Sequence, residues 1–447
     1  MTTPVQNESK PTLNKSLSVF DGITILVGIT IGAGIFSAPQ VIAGLMDSFS
    51  SIFWLWILVG VFIFIGGLIY AELGTRLPET GGEYVYINRA FGPFASFIFG
   101  WSQFIIIRTS PLAGLAIVTV NYLTYFIELT GFARTVVSLA IIAMIGSLNY
   151  IGIHRASIYQ RLSTIIKVGG LFFLVVVGLI LGFDRESLLG TTATPTGTLG
   201  PIGNTVAALM MVVFAFTGFE RVGYSAGEMK NPMRTIPLTM FFGITLIVVI
   251  YVLANLLYHQ TLGMEGVRNS TIVASDVATL LLGPIGAGFI ALIVMVSTTG
   301  SMNGTCMTAT RVYYAMARDG IFFKWLDHIH PTYRTPSRAI IVHCIWGAVI
   351  LLVRGSFEDI MAGMVFAVLI FYAANAIALF KFRREGIGVE GGYRMPLYPI
   401  LPAIYLIGIA MLVILRAIFE WQNSLADLAF IASGLPFWLI WRKRPKP

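Results

Sequence analysis

The chain is 447 residues long, 56% hydrophobic and only 11% charged, with a mean hydropathy of +0.83. That composition excludes a water-soluble enzyme or binding domain and describes an integral membrane protein. The net charge of +8 points to a nucleic-acid partner only until the charges are placed along the chain.

Residues 1–18 are polar and lack the short apolar core and cleavage site of a signal peptide, so they read as a cytoplasmic tail. Twelve apolar spans follow, at about 20–46, 52–75, 94–126, 132–150, 158–182, 203–227, 237–260, 284–317, 338–354, 360–380, 399–419 and 424–441. Residues 442–447 form a second tail. The first span holds Gly28, Gly32 and Gly34 at its centre. Glycines there either form a close-packing face, since Gly28 and Gly32 are four apart, or break the helix and free backbone groups. In hydrocarbon, freed groups are tolerated only where they line a cavity or are buried in protein.

The loops sort by charge. Of 29 Lys and Arg, 21 fall in the tails and one alternating set of loops, 5 in the other set, and Arg108, Lys167 and Arg221 lie at membrane depth or a span end. This asymmetry predicts an even number of spans with both termini cytoplasmic, in a plasma (inner) membrane. It also explains the basic balance without nucleic acid. Residues 76–93 form an inner loop carrying Gly81 and Gly82, and 318–338 a long inner loop with Pro331 and Pro336. Residues 186–200 and 261–283 are outer, and 273–282 read as a short lid helix. Cys306 and Cys344 lie inside apolar runs and read as core residues.

Span six repeats the anomaly of span one: Phe214, Ala215, Phe216, Thr217, Gly218, Phe219 and Glu220 place a glycine among aromatics and before a carboxylate. Two interrupted spans five apart predict five-helix halves of inverted topology, here 19–183 and 203–381, with a site between the breaks and helices eleven and twelve (399–441) appended. A broken helix offers N–H groups on one side of the gap and carbonyls on the other. An α-amino acid needs that pair of features. The breaks are therefore the expected site, and Gly28 is the better candidate for helix packing.

Several ordered motifs resemble one superfamily. They are Gly32-Ala33-Gly34-Ile35-Phe36, the Phe214–Glu220 stretch, Gly227 to Pro232 with Arg234 and Pro237, Tyr70-Ala-Glu72-Leu, Pro78 to Tyr84, and Arg311 to Gly320. On these motifs, over roughly residues 16–385, the chain resembles the amino acid–polyamine–organocation permeases. Ile106 to Pro111 in span three and Lys167 in span five are similar to their L-type amino acid transporter branch, whereas Glu220 departs from it. The resemblance implies an all-α fold of twelve transmembrane helices, a leucine-transporter-like 5+5 inverted repeat plus two C-terminal helices.

A lysine at mid-span costs about 2.5–3.5 kcal/mol on insertion scales, so Lys167 needs partners inside the bundle. The resemblance implies that its ammonium replaces the sodium ion that, in coupled relatives, holds span one against span eight. Carbonyls around Gly28 to Gly32 and the hydroxyls of Ser297 and Ser301 are its expected neighbours. The plainer reading is a static amine–carbonyl cluster. Glu220 anchors the broken stretch, pairs with Arg221, or senses an amine or a proton. Arg108 gates the pathway or, more simply, caps carbonyls. Glu72 closes span two as a partner for an inner-loop base. Phe214 matches an occluding aromatic of the superfamily, while Phe216 and Phe219 read as packing.

The expected function is secondary transport of amino acids by alternating access, most simply Na⁺-independent exchange or uptake of neutral L-amino acids. The substrate carboxylate is expected at the N–H groups of Ala33, Gly34 and Ile35, and its ammonium at the carbonyls of Ile29, Thr30 and Phe214. Gly32, Phe216, Thr217 and Gly218 complete the expected site, with selectivity from spans three, six and eight. Proton-coupled or exchange transport of cationic amino acids, polyamines or other amines is the alternative, because of Glu220. A non-transporting amino acid sensor is the competing class. An enzyme is not expected, since no hydrolase or zinc-protease motif occurs. The five histidines have no metal-ligand spacing, and no cofactor is implied. The loop 126–133 has no cysteine, so no disulfide-linked heavy chain is expected; oligomeric state is not legible.

Overall fold

Ser18 starts the first helix with a reciprocal cap. Its hydroxyl accepts from the Asp21 N–H while the Asp21 carboxylate accepts from the Ser18 N–H at 2.8 Å. Helix α1 (Val19–Thr30) then stops where Ile31 turns extended, and α2 (Gly34–Leu45) resumes at an angle of 44°. The computed structural model describes residues 17–79, 81–181, 192–318 and 320–441. The two tails, apart from residues 17 and 18, and residues 186–191 of the expected outer loop lie outside them.

The remaining helices are α3 (Phe49–Arg76), α4 (Glu83–Phe91), α5 (Pro93–Ser102), α6 (Thr109–Leu123), α7 (Phe132–Tyr150), α8 (Ile153–Leu181), α9 (Gly200–Phe216) and α10 (Pro232–Asn269). They continue with α11 (Val273–Arg318), α12 (Ser337–Arg354), α13 (Phe357–Glu385), α14 (Ile400–Phe419), α15 (Trp421–Ala432) and α16 (Gly434–Trp441). Eleven spans among the described residues are long and apolar enough to cross a membrane, and the bent α1–α2 pair makes twelve.

Four details differ from expectation. The inner loop 76–93 contains α4, whose residues Glu83, Tyr86, Ile87 and Ala90 recur at helical spacing and are buried together. Span three is not one regular helix: α5 and α6 are joined by a π-helical turn at Gln103–Ile107. Helices α10 and α11 each contain a break in the helical backbone, at Gly263 (φ 68°) and Gly283 (φ 73°), so each joins a span to a shorter outer helix. The second break sets 273–282 apart as the short helix expected there. Span twelve starts at Trp421 and bends between α15 and α16.

Helix α1 packs on α10, α2 on α9, and α11 on both α6 and α8. The α2–α9 approach is backbone to backbone: a Cβ built on Gly34 would lie 2.5 Å from the Ala215 Cα. Gly28 lies against the Thr164 methyl of α8, 2.5 Å from where its Cβ would be. Beyond the breaks, Leu17 pairs with Met229, and the Lys230 N–H donates to the Leu17 carbonyl at 3.0 Å.

Candidate functional site: a cavity between two interrupted helices

The second interruption has a clear local cause. Helix α9 ends at Phe216, Thr217 is extended, and Gly218 adopts φ 122°, which only glycine takes readily. A 3₁₀ segment, Phe219–Glu228, follows. Both interruptions open on a cavity of about 140 Å³. Gly28, Ile29, Thr30, Gly32, Ala33 and Gly34 line it from the first break, and Phe214, Ala215, Thr217 and Arg221 from the second. Pro111 and Leu115 of α6, Gln160 of α8, and Ser301, Gly304, Thr305, Met307 and Thr308 of α11 complete the wall.

Seven of the ten expected substrate residues therefore face one space, and three do not. Ile35, in the first turn of α2, is fully buried in the core. Phe216 packs on Trp56 and Tyr251, with ring centres at 6.0 and 5.1 Å. Gly218 turns the chain behind the wall, where a Cβ would meet the Ile29 Cγ2 at 3.0 Å. Two expected carbonyl acceptors are already bonded. The Phe214 carbonyl accepts from both the N–H (3.0 Å) and the hydroxyl (2.7 Å) of Thr217. The Tyr251 hydroxyl sits 3.1 Å from the Thr30 carbonyl and 3.0 Å from that of Ala215, donating between them. The Phe214 ring stands edge-on to Phe357, 5.6 Å away, at the cavity wall.

Lys167 is fully buried, and its Nζ donates to the Ser301 Oγ at 3.2 Å. Gly32 lies against the same hydroxyl, 3.3 Å from where its Cβ would be. One ammonium thus reaches, through Ser301, from α8 across α11 to the first break. The Ser297 hydroxyl is buried without a hydrogen-bond partner, so it does not join this contact. The Glu220 Oε2 accepts from the Gly218 N–H at 2.8 Å and from the Tyr372 hydroxyl at 2.9 Å, tying the second break to α13. The Arg221 Nε stands 3.6 Å from the Glu220 Oε1.

The π-turn explains Arg108. Five-residue spacing aligns Arg108 with Gln103, and the Arg108 Nε donates to the Gln103 Oε1 at 2.7 Å. The guanidinium lies 5.8 Å from the Tyr224 ring centre. Carbonyl capping is thus replaced by a side-chain contact, at the back of the second break rather than in the cavity.

Sequence reasoning missed the hub of this region, Glu83. Its Oε1 accepts from the Tyr70 hydroxyl at 2.6 Å and the Asn375 amide at 3.1 Å, and its Oε2 from the Tyr224 hydroxyl at 3.3 Å. Burial and the nearby Glu220 carboxylate push the Glu83 carboxyl up to about 7. Asn375, a lone amide deep in span ten, was the available signal. The base that meets Glu72 is Arg383 from the end of α13, at 2.6 Å, together with Arg76 of its own helix at 2.9 Å. His328, in the inner loop 318–338, contacts the Ser337 hydroxyl at 3.2 Å.

A profile of the amino acid permease family matches residues 17–446. The chain is 28% identical over 435 residues to the serine/threonine exchanger SteT of Bacillus subtilis (strain 168), covering 97% of this chain and 98% of that protein. It is 29% identical over 434 residues to the b(0,+)-type amino acid transporter 1 of Mus musculus, covering 96% and 88%. It is 26% identical over 447 residues to the cystine/glutamate transporter of Homo sapiens, covering 98% and 88%. With the family profile spanning nearly the whole chain and two interrupted helices meeting at one cavity, the chain belongs to the amino acid permease family, within the amino acid–polyamine–organocation superfamily.

Proposed function

We propose that the protein is a secondary transporter that exchanges amino acids across the plasma membrane by alternating access, without Na⁺, with both termini cytoplasmic and two inverted five-helix repeats (19–183 and 203–381). The observation that carries this reading is the pairing of the two helix breaks on one cavity. The first N–H groups of α2 have no intrahelical acceptors and suit a carboxylate; the last carbonyls of α1 suit an ammonium. With the Thr30 and Phe214 carbonyls engaged, the last turn of α1 at Gly28 and Ile29 is the better ammonium contact. The line from Lys167 through Ser301 to Gly32 supports Na⁺ independence, because it supplies a fixed cation between α1, α8 and α11. Phe214 closes over the substrate from the opposite wall. The exchangers and transporters among the relatives support the same reading.

Counterflow in proteoliposomes tests it. Preloaded unlabelled amino acid drives uptake of labelled amino acid, and the rate stays the same when Na⁺ is replaced by choline at fixed pH. Collapse of uptake in choline defeats the Lys167 assignment. Ligand binding with no counterflow marks a sensor instead.

A further inference from the structure

The cavity carries a charge that the backbone chemistry of an amino acid does not use. Arg221 sits three residues past Gly218, and its N–H donates to the Gly218 carbonyl at 3.1 Å, which fixes its start on the 3₁₀ segment. Its side chain is 16% exposed and lines the cavity, while its Nε is buried with no hydrogen-bond partner. The nearest carboxylate oxygen, the Glu220 Oε1 at 3.6 Å, lies beyond hydrogen-bond reach, and the other oxygen of that carboxylate is held by Gly218 and Tyr372. Among the described residues lining the cavity, Arg221 is the sole charged one and none is acidic. A second cation, Lys167, stands behind Ser301.

These observations discriminate between substrate classes. A cationic side chain or a polyamine entering this space meets a guanidinium and, behind the wall, an ammonium, with no carboxylate facing it. An apolar side chain leaves the Arg221 Nε buried and unpaired, a loss of the kind that makes polar sites selective. A second carboxylate answers both problems, since it accepts two parallel N–H bonds from one guanidinium. The Gln160 amide and the Thr305 and Thr308 hydroxyls of the same wall are further donors. We infer that Arg221 is a specificity-determining residue that reads a carboxylate on the substrate side chain, so that the preferred substrate is an acidic amino acid. This rests on the transporter reading above and replaces the neutral substrate expected from the sequence with an acidic one.

The test is ligand-induced thermal stabilisation of the purified full-length protein. The probes are L-glutamate and L-aspartate against L-glutamine, L-asparagine, L-lysine and putrescine, followed by counterflow of the ligands that bind. The wild type is expected to bind an acidic amino acid at least about tenfold more tightly than its amide and to ignore lysine and putrescine. R221Q is expected to bring the acid-to-amide ratio close to one, and R221K to keep a preference for the acid. A wild type that prefers the amide, or that binds lysine or putrescine, overturns the inference without any variant having to fold. In that case counterflow of the preferred ligand leaves the transporter reading standing. Equal acid preference in the wild type and R221Q assigns selectivity elsewhere and also overturns it. If no amino acid of any class binds or exchanges, the transporter reading and this inference fall together.

Discussion

Glu83 shows how one side chain couples the inner loop to the second break. It takes hydrogen bonds from three helices or segments that the sequence keeps far apart, through Tyr70, Tyr224 and Asn375. Its folded-state pKa of about 7 lies above the ordinary value of 4.5, so the sign is fixed. The contribution of this group to stability is complete below pH 4.5 and is lost as pH rises through about 7. The melting temperature of the wild type relative to Glu83→Gln is therefore expected to fall across that window and to level off above it. Parallel melting curves from pH 4.5 to 8 remove the assignment. At this scale the sequence is legible where a charge stands alone in hydrocarbon, as with Lys167. It is not legible where a charge lies in a polar loop and becomes buried only through folding, as with Glu83. Arg108 falls between: its depth was readable, but the partner five residues back was not. A π-turn leaves no mark in the composition of Gln103 to Ile107.

Among the helices, the interruptions were the legible features, because a glycine cluster inside an apolar run either packs closely against a neighbour or breaks the helix. What the glycines could not give was which side of each break faces the cavity. Gly34 was expected to meet the substrate carboxylate, and it also lets α2 touch the backbone of α9. Gly218 serves the turn itself. Gly218→Ala places a side chain at φ 122°, and its Cβ meets Ile29, so a loss of about 1–3 kcal/mol is expected. The same variant is expected to bind substrate more weakly, because Ile29 and Thr30 line the cavity from the other side. Unfolding in a denaturant titration and ligand binding check the two parts separately; wild-type values in both dismiss the strained turn. The outer ends of spans seven and eight were legible, because the helical backbone breaks at Gly263 and Gly283, next to the limits that apolarity sets.

For the whole molecule, the span count follows from hydropathy, but the contacts that lock spans together do not. At one end of the bundle Glu72 joins α3 to Arg383 of α13. In a second cluster the fully buried Asp427 of α15 is paired with Arg354 of α12 and, at 2.9 Å, with Arg416 of α14. No sequence periodicity pairs residues so far apart. Asp427→Asn leaves the distant Glu420, 3.9 Å away, as the one carboxylate paired with the buried Arg416 among the described residues, and is expected to destabilise the protein by about 3–5 kcal/mol. A double variant that also replaces Arg416 with Met is expected to recover much of that loss. If Asp427→Asn unfolds at the wild-type denaturant concentration, the cluster is not a lock.

The contact between Gly34 and Ala215 has a mechanical consequence. Two backbones that already touch can neither approach nor slide past each other without a clash, and the Tyr251 hydroxyl straddles the joint by reaching both Thr30 and Ala215. The crossing is a fulcrum. On its far side, α1 and the 3₁₀ segment are strapped to each other where Leu17 pairs with Met229 and Lys230. Pinned at the joint and tied at the tip, these two arms form a single leaf, and any gap opened on that side has to lie between this leaf and the frame of α8 and α11.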